Sequence, residues 1–141
     1  MPDIVMSIHP KWADKIYSGE KKIEWRKTKP RQYDNKMKVY LYETAPVKKV
    51  TGYFMVERFG WANKNDHDFK FLIREKVEKL GCVSIEDLKR YQGNSPELFA
   101  WYIGKVVKFK KPRALESLGV KKPPQSWQHL KEACNECQPV D

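Results

Sequence analysis

The sequence predicts an α+β protein that is mainly β, a small mixed β-barrel of five to six strands with flanking helices. About five segments alternate apolar and polar residues, which is typical of half-buried strands, and helical periodicity occurs at only two points. The strict alternation of strands and helices expected of a doubly wound sheet is missing. A barrel of five or six strands is too narrow to hold a channel. We therefore expect any ligand to bind at the mouth of the barrel or in a cleft beside a helix.

The first elements are a strand, a helix, a glycine turn and a second strand. The apolar run at 3–8 predicts a buried strand, and Pro10 begins a helix that Gly19 ends. The helix repeats Trp12, Ile16 and Tyr17 at helical spacing, and we assign Trp12, with Trp25 and Trp101, to the core. The second strand, KKIEWRK, places Ile23 and Trp25 on one face and its polar residues Lys22, Glu24 and Arg26 on the other.

Two more strands are predicted at 36–44 and 50–59, and with KKIEWRK they read as a meander. In the later strand Val50, Phe54 and Val56 share a face with Gly52, a glycine that indicates a bulge or a close backbone approach.

A helical insert is predicted at about 61–97, within one domain that covers 1–141. Ser84 and Asp87 have the spacing of a capping box. A long strand with a bulge at Gly104 follows, and the chain closes with a helix that starts near Ser126. The insert is expected to cover the sheet, with an apolar stripe formed by Phe69, Leu72, Ile73, Val77 and Leu80.

The charge balance favours a polyanionic partner. Lys and Arg total 28 against 18 acidic residues, a net charge of +10, and aromatic residues make up 13% of the chain. Such an excess attracts nucleic acid through counterion release, although a merely soluble basic surface is the alternative. A membrane partner is not expected, because no amphipathic basic helix with an aromatic face stands out.

The N-terminus resembles no export signal, so we expect a cytoplasmic protein with its three cysteines reduced. Cys134 and Cys137, with His129 upstream, invite a zinc interpretation in which Cys82, His9 or His67 supplies the fourth ligand. We prefer a C-terminal helix end with exposed thiols, and we expect neither a metal nor a cofactor.

The stretch GEKKIEWRK carries the strongest candidate site. Lys21 lies at a turn, where its ammonium could reach a phosphate or, if desolvated, act as a base. Glu24 could accept hydrogen bonds from the exocyclic amine of a base, and Arg26 could fork onto a phosphate or stack on a ring. The alternative is a surface or cross-strand ion pair worth about 0–1 kcal/mol, or a Glu24 buried purely to hold Arg26.

Four further residues complete the candidate nucleic-acid site. Lys11 could contact a phosphate or be an ordinary solvated lysine. Tyr42 could stack on a base or lie half-buried between strands. Gln125 and Trp127 could close the cleft, although Trp127 suits a lid on the barrel core equally well.

The run SIHPKWADKIYSGEKKIEWRK resembles the opening of ASCH domains in the PUA-like superfamily, whose signature is Gly-x-Lys-x-x-Glu-x-Arg. Gly19, Lys21, Glu24 and Arg26 match its fixed positions. Three later blocks, VYLYETAPVKKVTGYFMVE, AWYIGKVVKFKKP and PPQSWQHL, are similar to later parts of the same domain, and the insert matches least.

The resemblance implies a PUA-like barrel that binds RNA or a modified base in a cleft, with DNA as a possible ligand and the oligomeric state open. It also leaves an enzyme as the alternative, a nucleoside amidohydrolase or a ribonuclease with Lys21 and Glu24 as catalytic groups. The branch that hydrolyses acetylated cytidine has a threonine where Glu24 stands here, and it also uses a carboxylate from the helical insert, which Asp87 or Glu86 would have to supply. The histidines His9, His67 and His129 have no visible partners in the sequence.

Overall fold

The six strands form one curled sheet in the order β2-β5-β4-β3-β1-β6, and a few helices flank it. The computed structural model describes residues 2–63 and 74–131. The mainly β, barrel-like fold predicted from the sequence is confirmed. The elements are β1 (Ile4–Ile8), α1 (Pro10–Ser18), β2 (Ile23–Arg26), β3 (Lys38–Glu43), β4 (Lys49–Asn63), α2 (Arg74–Gly81), α3 (Ile85–Gln92), β5 (Glu97–Arg113), a 3₁₀ helix (Leu115–Leu118) and β6 (Trp127–His129).

β1 pairs parallel with β3 and lies next to the edge strand β6, and α1 is the element that follows β1. All five residues of β1 are buried because both of its faces pack against other elements. Ile4, Met6 and Ile8 lie in the main core cluster, and Val5 lies in a cluster on the opposite face. The helix ends as predicted, because Gly19 takes a left-handed φ of +88° and its N–H donates to the carbonyl of Ile16.

The predicted meander is wrong in one respect, since β2 pairs with β5 and not with β3. The meander consists of β3, β4 and β5, while the polar loop after β2 carries the chain across to the other side of the sheet. Sequence neighbours usually pair, but here the long β5 offers β2 an edge along Phe99–Tyr102.

The predicted helix near Ser126 is also wrong. Trp127–His129 form β6, which pairs antiparallel with β1. The edge of β1 offers backbone groups that this segment satisfies: Ser7 N–H donates to the carbonyl of Ser126 at 2.9 Å, and Leu130 N–H donates to that of Asp3 at 2.8 Å.

Both predicted glycine irregularities occur in the β4–β5 ladder. The register shifts between Val50 and Gly52 and again between Phe54 and Val56, the latter opposite Gly104. One consequence corrects the predicted face of β4: Phe54 and Val56 lie in the main core, whereas the bulge turns Val50 into the cluster on the other side of the sheet.

Gly52 marks a place where two strands approach too closely for any side chain. A Cβ there would lie 2.2 Å from the backbone oxygen of Val107 and 2.7 Å from the Tyr17 hydroxyl. We expect Gly52→Ala to lower the free energy of unfolding by about 1–3 kcal/mol, because backbone must move. Gly60→Ala in the same strand is the control: its nearest neighbour is the Tyr102 side chain at 3.2 Å, which can turn aside. Equal urea midpoints for the two variants would contradict this account.

Helices α2 and α3 lie within the range predicted for the insert, while residues 61–63 continue β4. Ser84 caps α3 by accepting a hydrogen bond from Asp87 N–H at 3.1 Å, as the capping box predicts. Leu80 packs against a core cluster that contains Ile23 and Trp25, so the insert covers this part of the sheet. Phe69, Leu72, Ile73 and the side chain of Val77 lie outside the described residues, as do His67, Cys134 and Cys137.

Within the described ranges, the chain has no helix both long and apolar enough to cross a bilayer.

Candidate functional site

A cavity of about 420 Å³ opens beside the start of α1, next to the ends of β1 and β3. Its wall combines residues from the sheet, from α1 and from the helical insert. The residues that line it are Ser7, Ile8, His9, Trp12, Lys21, Glu24, Trp25, Arg26, Thr44, Val83, Leu88, Tyr91 and Gln125. The structure therefore brings together all three charged residues of the GEKKIEWRK stretch that the sequence singled out.

Lys21 is buried, with only 4% of its side chain exposed. Its ammonium donates to the carbonyl of Gly81 at the end of α2, lies 3.5 Å from Glu24 Oε1 and stands 4.9 Å from the centre of the Trp12 ring. A backbone hydrogen bond next to this contact also joins the two segments, since Lys22 N–H donates to the carbonyl of Leu80 in α2 at 2.6 Å. Lys21 thus fastens the helical insert to β2 while one side of its ammonium faces the cavity.

Glu24 lies between the two cations of the signature. Its Oε2 accepts from Arg26 Nε at 2.8 Å and lies 2.6 Å from Arg26 Nη2, while its Oε1 faces Lys21. Glu24 as a whole residue is only 7% exposed. This is a buried, charge-assisted network and not the exposed cross-strand pair that the sequence left open.

The N–H donors of Arg26 all form hydrogen bonds within the protein. Besides Glu24, Arg26 donates to the carbonyl of Ser7 at 2.9 Å and to Ser126 Oγ at 3.1 Å and Ser126 O at 3.4 Å. These contacts join the edge strand β2 to the region where β1 meets β6, so Arg26 helps to close the curled sheet. A guanidinium engaged in this way has no pair of donors left to fork onto a phosphate, the role the sequence suggested.

The buried position of Lys21 has a pH dependence that can be measured. Burial lowers its pKa from the ordinary 10.5, while the field of Glu24, and a weaker one from Cys82, act in the opposite direction. Between the lowered pKa and 10.5 the unfolded chain binds the proton and the folded chain does not, so the free energy of unfolding rises with pH across that window.

We expect wild type to gain stability relative to Lys21→Met as pH increases from 7 to 10.5, in parallel urea titrations. The titration of other groups is common to both proteins and cancels, including that of Tyr17, whose pKa burial raises to about 12. A difference that stays constant or shrinks with rising pH would contradict the burial of a charged Lys21.

Three aromatic side chains, Trp12, Trp25 and Tyr91, form part of the remaining wall, and none of them was predicted to belong to the site. Trp25 was assigned to the core, where it packs, yet it also lines the cavity. Trp12 was assigned to the core; it packs on the main cluster but also lines the cavity, beneath both Lys11 and Lys21. Tyr91 of α3 is 42% exposed and has Lys27 Nζ 5.1 Å from its ring centre. Its place at helical spacing from Leu88, which also lines the cavity, was the only sequence signal for it.

The polar rim includes His9, a histidine for which the sequence showed no partner. His9 Nδ1 lies 3.4 Å from Thr44 Oγ1, and both residues line the cavity. Because these residues follow β1 and β3, their proximity depends on the parallel pairing of the two strands.

The other predicted site residues divide into two groups. Gln125 lines the cavity, and Lys11 is exposed beside it with its ammonium 4.8 Å from the Trp12 ring. Tyr42 is instead buried among Val5 and Val50 on the far face of the sheet. Trp127 contacts the Trp101 ring at 5.5 Å and donates to Thr28 Oγ1, as a lid on the core does. Neither Tyr42 nor Trp127 lines the cavity.

The insert contributes apolar and aromatic groups to the cavity and not the carboxylates considered from the sequence. Asp87 is paired with Arg90 at 2.7 Å on the exposed side of α3, and neither it nor Glu86 lines the cavity. Among the described residues no group of three or more His, Cys, Asp or Glu side chains is arranged to hold a metal ion.

Solved structures share this fold. The crystal structure of ASCH from Zymomonas mobilis superimposes with a TM-score of 0.75 and 23% identity, over 93% of this chain and 89% of that one. Crystal structures of a tyrosine-to-phenylalanine and a serine-to-alanine variant of the same protein give the same TM-score at 22% and 23% identity. They cover 94% of this chain and 92% of theirs.

Curated relatives match at lower coverage of their own length. An ATP synthase subunit alpha from Ureaplasma parvum serovar 3 is 27% identical over 128 residues, 91% of this chain and 15% of that protein. A large ribosomal subunit protein uL22 from the same organism is 27% identical over 129 residues, 91% of this chain and 39% of that protein. The chain thus spans well under half the length of these relatives.

The family model of the ASCH domain covers residues 6–113, most of the chain. That range includes the Gly19–Arg26 signature, the strands β2 to β5, the second part of β1 and the charged floor of the cavity. The resemblance seen in the sequence is confirmed, and the chain belongs to the ASCH domain family.

Proposed function

We propose that the protein binds RNA by taking up a single base, unmodified or modified, in the cavity beside α1. One observation carries the proposal: at the floor, Lys21 presents a donor and Glu24 Oε1 an acceptor 3.5 Å apart, inside a wall that contains Trp12, Trp25 and Tyr91. Adjacent donors and acceptors are what the edge of a nucleobase offers, and aromatic side chains are what its faces stack on. The PUA-like fold of the family is itself generally linked to RNA binding.

The dimensions favour one base over a duplex. A cavity of about 420 Å³ is in the lower part of the range of small-ligand sites, whereas a helix needs a groove or an extended face. Because Arg26 is committed to Glu24, Ser7 and Ser126, we expect the phosphates to stay outside. There, exposed lysines such as Lys11 at the rim can meet them, and the net charge of +10 attracts the strand.

The test is a binding titration with nucleoside monophosphates and modified nucleosides, followed through quenching of tryptophan fluorescence, and with a 12-nucleotide RNA, followed by anisotropy. We expect Tyr91→Ala to weaken binding roughly 5- to 150-fold, the equivalent of about 1–3 kcal/mol for one stacked base. The same titration with DNA of equal sequence measures the preference for RNA.

Tyr33→Ala is the matched control, since Tyr33 is 39% exposed and packs edge-on against Phe59, and it does not line the cavity. Its affinity should equal that of wild type. Equal affinities of the Tyr91 and Tyr33 variants for every mononucleotide, or an absence of binding by wild type at 50 mM salt, would refute a base-binding cavity.

A second candidate is hydrolysis of a modified nucleoside, and the buried Lys21 beside Glu24 favours it. Burial lowers the pKa of Lys21, which moves a lysine towards a general base. Incubation of acylated nucleosides with wild type, with analysis by liquid chromatography, tests it. Turnover that is lost in Lys21→Met but kept in Lys22→Met would establish the hydrolase. Binding of the nucleoside without any product, even when protein and nucleoside are present at equal concentrations, would exclude hydrolysis. Cleavage of RNA fits less well, because Arg26 is not free to clamp a phosphate.

A further inference from the structure

Three aromatic rings meet on the face of β3, β4 and β5 that points away from the main core. The ring centres of Tyr40, Tyr53 and Phe109 lie 5.6 to 6.3 Å from one another. Phe54 is fully buried in the main core, so its neighbour Tyr53 points to the other side of the sheet. All three rings are only partly buried, and none of them lines the cavity.

Cations lie directly on these rings. Lys38 Nζ stands 5.0 Å from the centre of Tyr53, and the guanidinium carbon of Arg113 stands 4.0 Å from that of Phe109. We call Lys38, Tyr40, Tyr53, Phe109 and Arg113 the outer face. The part of β5 that reaches it, KVVKFKKPR at 105–113, has five basic and no acidic residues. One carboxylate, that of Asp3, lies at the margin and accepts a hydrogen bond from Lys38 N–H at 2.9 Å.

We infer that the outer face is a second contact surface for single-stranded nucleic acid, separate from the cavity. Accessible aromatic rings flanked by cations are the combination on which bases stack while phosphates are neutralised, whatever the sequence. The inference takes its class of ligand from the proposed function but uses none of the same residues.

Lysines on a strand edge also prevent pairing with other chains, and β2 covers β5 only as far as Tyr102. Protection of a strand edge against pairing needs charge alone, so Lys108 would serve it equally well. Lys108 lies on the other side of β5, with its ammonium 5.4 Å from the Tyr17 ring. Such protection does not require rings left accessible between the cations. The two explanations therefore separate when the rings and the charges are changed independently.

The experiment measures affinity for a 12-nucleotide single-stranded RNA by anisotropy from 50 to 200 mM salt. We expect Tyr53→Leu, which keeps apolar volume but removes the ring, to weaken binding roughly 5- to 150-fold. Arg113→Glu is expected to reduce the slope of log K against log salt by roughly 0.7, one phosphate contact. Lys108→Glu, with the same change in net charge, is the control. Circular dichroism of each variant verifies the fold.

Equal effects of Arg113→Glu and Lys108→Glu, together with wild-type affinity of Tyr53→Leu, would overturn the inference and leave the proposed function intact. The opposite result separates the two proposals as well. If outer-face variants weaken binding of the 12-nucleotide RNA while Tyr91→Ala changes no mononucleotide affinity, the outer face is supported as a binding surface and base binding in the cavity is refuted. Outer-face variants should in no case change binding of a mononucleotide.

Discussion

Glu24→Ala is expected to lower the free energy of unfolding by about 3–5 kcal/mol, the range for removing one partner of a buried ion pair. Glu24 is 7% exposed, and its carboxylate is the counter-charge of both Lys21, at 3.5 Å, and Arg26, at 2.6 Å. Without it two cations remain buried side by side and repel each other. The cost comes from those uncompensated charges more than from the lost hydrogen bonds.

Glu20→Ala provides the control for this prediction. Glu20 lies at a variable position of the same signature and is paired with a lysine, Lys15, at 3.3 Å, but its side chain is 63% exposed. Exposed pairs contribute about 0–1 kcal/mol, so the two substitutions should differ several-fold when measured by urea unfolding at pH 7. A loss below about 1 kcal/mol for Glu24→Ala would mean that water reaches the network, and it would undermine the description of Lys21 as buried.

The strands and caps could be predicted because their signals are local. Alternation in IEWR and in KVYLYE, the left-handed Gly19 and the Ser84 cap each depend on residues within a few positions of one another. Two features could not be predicted: the pairing of β2 with β5 and the strand at Trp127. Each depends on the unpaired backbone edge of a strand that is distant in the sequence and becomes a neighbour only in the folded protein.

The candidate site also has a part that local sequence signals predict and a part that depends on distant residues. The signature places Lys21, Glu24 and Arg26 together because they share a turn and one strand face. The commitment of Arg26 to Ser7 and Ser126, 19 and 100 residues away, leaves no trace in the sequence, and it changes the residue from a ligand contact to a structural bridge. Trp12, Trp25 and Tyr91 were missed for a related reason: a periodic aromatic residue looks the same in the sequence whether it faces the core or a cavity beside it.

Trp101→Ala is expected to cost about 3–5 kcal/mol of stability, the range for truncating a large buried aromatic side chain. Trp101 is fully buried and touches the rings of Phe59 at 5.0 Å and Trp127 at 5.5 Å. Its indole N–H donates to the carbonyl of Thr28 at 3.2 Å, so the substitution also leaves that acceptor without its partner.

Trp101 also lies opposite Glu24 in the β2–β5 ladder, which connects core packing to the floor of the cavity. We therefore expect any ligand affinity to fall together with stability in Trp101→Ala, because β2 loses the strand surface that positions Glu24. Trp61→Ala is the matched control: Trp61 is 64% exposed on the same sheet, and its loss should change stability by no more than about 0.5 kcal/mol. If the two tryptophan variants unfolded at the same urea concentration, Trp101 would not hold the sheet together as described, and the link from its packing to the charged floor would fail with it.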